Sequence, residues 1–190
     1  METMTQRFKR LDNYNSLDKH QEAIDIRGFK VVTDNDVEIG KVNAVIVDEA
    51  SDSIRYIEVN TKDHLDSPIN DRNGYRNDDR YRDRFEGGAH YMLIPAGLIS
   101  VDKDTYTVTA KNMIAENLYT GPRHQKDDDF DAAYEYAVVD KYVNTKGSDF
   151  LEKYGKFRNT KEARIDNHFY ERDYFTTRRD KRGQPSSPVL

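Results

Sequence analysis

Between Ile24 and Leu118 apolar residues recur at short, regular intervals, and outside that span they thin out. The stretch IDIRGFKVV alternates apolar and polar positions, the period of a strand with one buried face. Gly28 interrupts it, as a glycine does at a bulge or a close backbone approach. TDND supplies turn residues. VEIGKVNAVIVDEA follows, with Val37, Ile39, Val42, Ala44 and Ile46 apolar and Gly40 at a bend. After the turn EASDS, a third strand carries Ile54, Tyr56, Ile57 and Val59. HYMLIP, GLISVD and TYTVTA are three more, and Pro95 ends the fourth or places it at an edge. These runs predict one small, closed or nearly closed antiparallel β-barrel over residues 24–112. Its expected core includes Ile26, Val31, Val42, Val45, Val47, Tyr56, Ile57, Leu93, Ile94, Leu98 and Val108.

The flanks differ. Residues 1–23 are polar and mixed in charge, and they read as a leader that drapes over the barrel or stays mobile. Residues 61–88 form a long polar interval, expected to be a mobile loop. KNMIAENL suggests one or two helical turns, with Met113, Ile114 and Leu118 packing on an open barrel end. Gly121-Pro122 breaks the pattern. KDDDFDAAYEYAVVDKYVN predicts a helix with Asp127, Asp128 and Asp129 at its positive end, and GSDFLEKYG a shorter one between Ser148 and Gly155. From 165 to 190 the chain is charged, dotted with aromatics and expected to be largely disordered. The organisation is therefore a leader (1–23), a barrel domain (24–118), a partly helical extension (119–164) and a tail (165–190). Two short helices bury too little to offset the ordering entropy of the C-terminal half. That half is expected to gain order only when docked, through Tyr134, Tyr136, Tyr142, Phe150 and Tyr154.

Composition narrows the function. Charged residues make up 34% of the 190 positions and the net charge is −5, which argues against bulk electrostatic binding to nucleic acid. With no cysteine, disulfides, thiolate nucleophiles and cysteine-ligated metal sites are excluded. The N-terminus lacks the apolar core of a signal peptide, and no apolar run approaches the roughly 20 residues that span a bilayer. A soluble, cytoplasmic protein is expected.

The order of three pieces resembles the PRC-barrel family: DIRGFKVVTDNDVEIGKV, then VIVDEASDSIRYIEVN, then YMLIPAGLISVDKDTYTV. The pattern is a glycine-broken first strand, a polar turn, Ile-Gly-Lys-Val, an aspartate closing the second strand, Ile-Arg-Tyr opening the third, and Leu-Ile-Pro followed by Leu-Ile. The family includes the cytoplasmic part of the photosynthetic reaction-centre H subunit, the C-terminal half of a ribosome maturation factor, and many small bacterial proteins. The likeness spans about residues 22–118, and the leader is most similar to that of the stand-alone bacterial members. It implies no catalytic residues and no cofactor.

The residues themselves agree. His20, His64, His90, His124 and His168 have no metal-ligand spacing, although His64 and His90 flank the long loop and converge on Asp63 or Asp66 if it folds back. Asp127–Asp129 lack the spaced oxygens of a calcium loop, and capping a helix explains them. No phosphate loop or nucleophile elbow occurs. The run YRNDDRYRDRF interleaves arginines with aromatics, the residues favoured at interface hot spots. Tyr75, Tyr81, Arg82, Arg84 and Phe85 are thus the candidate partner-binding residues, although neighbouring aspartates nearly cancel the charge. The expected function is a non-enzymatic binding or assembly module acting by protein–protein interaction or self-association. An RNA- or ribosome-associated maturation factor is the alternative.

Overall fold

The structure is a computed structural model that describes residues 7–11, 25–49, 51, 53–62, 90–111, 113, 121–142, 167–171 and 175. Seven strands form one sheet: β1 (Phe8–Arg10), β2 (Lys30–Thr33), β3 (Glu38–Asp48), β4 (Ser53–Asn60), β5 (Tyr91–Pro95), β6 (Ile99–Asp102) and β7 (Thr107–Ala110). Along the sheet they run β5-β4-β3-β2-β7-β6, with β1 paired to β3. Two helices follow, α1 (Ala132–Tyr142) and α2 (Asn167–Tyr170).

The two end strands of this order, β5 and β6, are consecutive in the chain and joined only by a three-residue 3-10 turn, Ala96–Leu98. The ribbon is therefore tied end to end by covalent chain, while its hydrogen-bonded ladder is not closed. The expectation of an all-antiparallel barrel needs correction in one pair: β2 and β7 are parallel, from Lys30↔Thr107 to Thr33↔Ala110. The cause is the 3-10 turn. It bends the chain without reversing it, so β6 runs the same way as β5, and β7 then matches β2. Pro95 sits at that corner, ending an edge strand and losing no ladder bond.

β3 is the spine. Its first half pairs with β2 and its second half with β1, on the same edge, while β4 covers the other edge from Lys41 to Asp48. The register slips between Val31 and Val32, leaving Ile39 as an extra residue beside Gly40. Gly40 has φ +152°, and a Cβ there would meet the Asn60 carbonyl oxygen at 2.2 Å. The two backbones approach closely at that point because there is no side chain between them. Part of the polar leader is thus a sheet strand: Phe8 pairs with Asp48 and is only 6% exposed.

Every residue of the expected core is buried except Leu98, which is partly so. β4 buries Tyr56, Ile57, Glu58 and Val59 in succession. A strand buried on both faces needs cover outside the barrel as well as a core within it. The outer cover is the C-terminal segment. α1 turns a stripe of Ala132, Glu135, Tyr136, Val138, Val139 and Tyr142 inward, at helical spacing. Its cap is Asp131, whose Oδ1 accepts the Tyr134 amide at 2.8 Å, rather than Asp127–Asp129. Beyond residue 165, where the composition suggests a largely disordered tail, Phe169, Tyr170 and Phe175 are 0%, 2% and 4% exposed. The expected turns at Ile114–Leu118, the helix between Ser148 and Gly155 and the loop 63–89 lie outside the described residues.

Candidate functional site

Tyr56 and Glu58 are two apart on β4 and so point to the same side of the sheet. That side meets β1 and the C-terminal extension. Two buried carboxylates organise the contact, one from the sheet and one from α1.

The first is Glu58, fully buried. Arg10 donates to it from Nε at 3.1 Å and Nη2 at 2.8 Å, Asn43 from Nδ2 at 2.5 Å, and His124 from Nε2 at 2.9 Å. Burial alone would raise its pKa, but the hydrogen bonds from His124 and Arg10 outweigh burial and hold the carboxyl at about 2. The carboxylate is ionised, so Nε2 of His124 carries a proton; in the neutral ring Nδ1 then accepts from the Tyr134 hydroxyl at 2.9 Å. The His124 backbone exchanges hydrogen bonds with Tyr91, extending the edge of β5 by one bridge. Phe130 stacks on Tyr134 and meets His124 edge-on, with ring centroids 5.6 and 4.9 Å apart.

The second is Glu135, 2% exposed on α1. Tyr56 donates to it at 2.7 Å, Tyr170 donates to the same oxygen, and Arg7 lies 4.0 Å from the other. Burial pushes this carboxyl up to about 7, against the hydrogen bonds from Tyr170 and Tyr56 and the charge of Arg7. Burial and the facing carboxylate raise both tyrosine hydroxyls as well. Two guanidiniums lie over the Tyr170 ring, Arg7 at 4.8 Å and Arg55 at 4.4 Å from its centroid. Asp48, 2% exposed, anchors both cations, at 3.4 Å from Arg7 and 3.6 Å from Arg55.

The connectivity Glu58–His124–Tyr134 is that of an acid–imidazole–hydroxyl relay. Its surroundings suit a clamp better. Arg10 and Asn43 take up the carboxylate, and the Tyr134 hydroxyl also reaches the Pro122 carbonyl at 3.4 Å. These contacts join β1, the stretch around His124 and α1 to the sheet.

Residues 21–112 match the family model described as PRC-barrel domain. The chain carries a PRC-barrel domain. Among curated proteins no match was found. The PRC-barrel match takes in β2–β7 but neither β1 nor α1, so Arg7, Arg10, His124 and Glu135 lie outside the matched residues. No helix among the described residues is long and apolar enough to cross a membrane.

Of the residues singled out from sequence, Tyr75, Tyr81, Arg82, Arg84 and Phe85 lie outside the described residues, as do His64, Asp63 and Asp66. His90 is described: its carbonyl accepts from the amide and hydroxyl of Thr61, at 2.9 and 2.8 Å. Among the described residues no group of three acidic or histidine side chains could hold a metal. Tyr134, Tyr136 and Tyr142 do pack on the barrel's core. Sequence reasoning passed over Glu58, Glu135, Arg7 and Arg10, and weighed His124 only as a metal ligand. One signal was available: consecutive Tyr56 and Ile57, both large, imply that both faces of β4 are covered.

Proposed function

We propose that this chain is a non-enzymatic binding and assembly module that works through protein–protein contact. The supporting observation is the outer face of β3 and β4. Its buried charged and aromatic groups are committed to holding peptide segments, namely β1, the stretch around His124, and α1 with α2. A face built to hold strands and helices of its own chain has the chemistry to hold those of another. The PRC-barrel sheet provides the rigid support and the extension provides contact surface. The interval 63–89, with its Arg–Tyr run, is a second place for a partner.

Affinity capture with the intact chain from its native cell, followed by mass spectrometry and sedimentation, tests this. A stoichiometric protein partner or a self-associated species is expected. Recovery of nucleic acid that dissociates as salt rises, with no protein partner, would instead favour the RNA-associated alternative, which the net charge of −5 does not support.

A further inference from the structure

Phe169, Tyr170 and Phe175 form one aromatic plug, with ring centroids 5.0–5.3 Å apart. Its receptor is made by Arg7, Arg55 and Glu135. Within that receptor, Glu135 of α1 is faced by titratable or charged groups from four other segments among the described residues. Tyr56 of β4 and Tyr170 of α2 both donate to its Oε2. Arg7, just before β1, holds Nη1 4.0 Å from Oε1, beyond hydrogen-bond reach. Asp48, the last residue of β3, engages Arg7 at 3.4 Å and Arg55 of β4 at 3.6 Å. Arg7 thus lies nearer to Asp48 than to Glu135.

These segments are not held alike. Tyr56 is fixed in the sheet between Ile46 and Pro95. α1 has eleven residues, six of them buried, whereas α2 has four residues. A charge on a buried carboxylate is relieved most cheaply where its cover opens most easily, and short peripheral elements open first. We infer that α2 is a proton-controlled latch: with Glu135 protonated, Tyr170 is held down on the outer face of β4, and ionisation of Glu135 loosens it and uncovers Tyr56. Burial supplies the driving force, raising the carboxyl from 4.5 to about 7 in the closed form. Once α2 lifts, water reaches Glu135 and the carboxyl returns toward its ordinary range. Closure is therefore strongest below pH 4.5 and weakens as pH climbs through 7. The latch goes beyond the assembly role proposed above and does not depend on it.

The chain has no cysteine, so a single one can be introduced as a probe of opening. Phe169→Cys reports on the latch, and Val31→Cys, in the barrel core, on opening of the whole fold. Each full chain is labelled with an uncharged thiol reagent from pH 5.5 to pH 8. Its rate is divided at each pH by that of a short peptide of the same local sequence. Labelling at position 169 should outpace that at position 31 at every pH, and should rise about tenfold or more across the range. Adding Glu135→Gln to Phe169→Cys should abolish the rise. Equal rates at the two positions, a flat profile at 169, or a rise that survives Glu135→Gln would each overturn the latch. A second measurement needs no variant: carbon-13 NMR of the Glu135 carboxyl in the unaltered chain should give a midpoint of about 7, and a midpoint near the ordinary 4.5 would overturn the latch as well. None of these outcomes bears on the assembly role.

Discussion

Glu58 on β4 and His124 in the extension, 66 residues apart in the chain, meet through a 2.9 Å hydrogen bond with both side chains buried. Arg10, from the other end of the chain, joins the same carboxylate at 2.8 Å. Three remote segments thus share one anionic centre. Glu58→Gln removes the charge and leaves Arg10 mostly buried without it, which should cost about 3 kcal/mol. Urea unfolding at neutral pH measures this. A change under 1 kcal/mol, on the order of an ordinary surface substitution, would show that the centre is not a clamp.

The same group sets the acid limit. Its folded pKa, about 2, lies below the ordinary 4.5, so the stability it contributes is present above pH 4.5 and is lost as pH falls toward 2. Up to about 3 kcal/mol should disappear across that window. The Glu58→Gln chain should show a shallower acid limb in denaturant midpoints taken from pH 5 to pH 2.

Glu135 works in the opposite sense. Its folded pKa is raised from 4.5 to about 7, so its favourable contribution is full below pH 4.5 and is lost as pH climbs through 7. Glu135→Gln keeps an oxygen for Tyr56 and Tyr170 and cannot ionise. It should flatten the stability profile between pH 5 and pH 8, where the unaltered chain loses up to about 3 kcal/mol. An unchanged slope would mean that Glu135 titrates near its ordinary value.

Which parts of this were legible in the sequence follows from the range over which each signal acts. The strands were, because the alternation in TVTA and the β-branched and aromatic run in SIRYIEVN are local signals. The direction of β7 was not, since it depends on how Ala96–Leu98 turns in space. Phe8–Arg10 is too short to display a period. The aromatic plug was hidden by its charged neighbours: HFYERDYF has the composition of a solvated segment, and only the receptor made by Arg7, Arg55 and Glu135 accounts for its burial. Glu58 gave no local signal, because its partners Arg10 and His124 lie 48 and 66 residues away.

Tyr142 offers a gain of stability. Its hydroxyl is buried with no hydrogen-bond partner among the described residues, and burial raises its pKa. Tyr142→Phe should therefore stabilise the chain by about 1 kcal/mol, the cost of one unmet polar group. A melting temperature that falls would reveal a partner for that hydroxyl. Gly121→Ala should do the reverse, because its Cβ would lie 1.9 Å from the same oxygen.

Gly40→Ala should be costly for two reasons, the positive φ and the 2.2 Å clash with the Asn60 carbonyl. About 2–3 kcal/mol is expected, with the β3–β4 ladder opening locally. Amide exchange at Val42 and Val59, which pair across that point, would report it first.

The placement of β1 also has a consequence for birth of the molecule on the ribosome. Arg10 is made before β3, and its contact with the Asp128 carbonyl spans 118 residues of chain. At a synthesis rate of about 5–20 residues per second, Arg10 waits roughly 6–24 s for that contact. During the wait, β1 is held on the second half of β3 by its ladder and by the bond from Arg10 to Glu58. Slowing elongation between β7 and α1 would lengthen the interval in which β1 lacks that later contact.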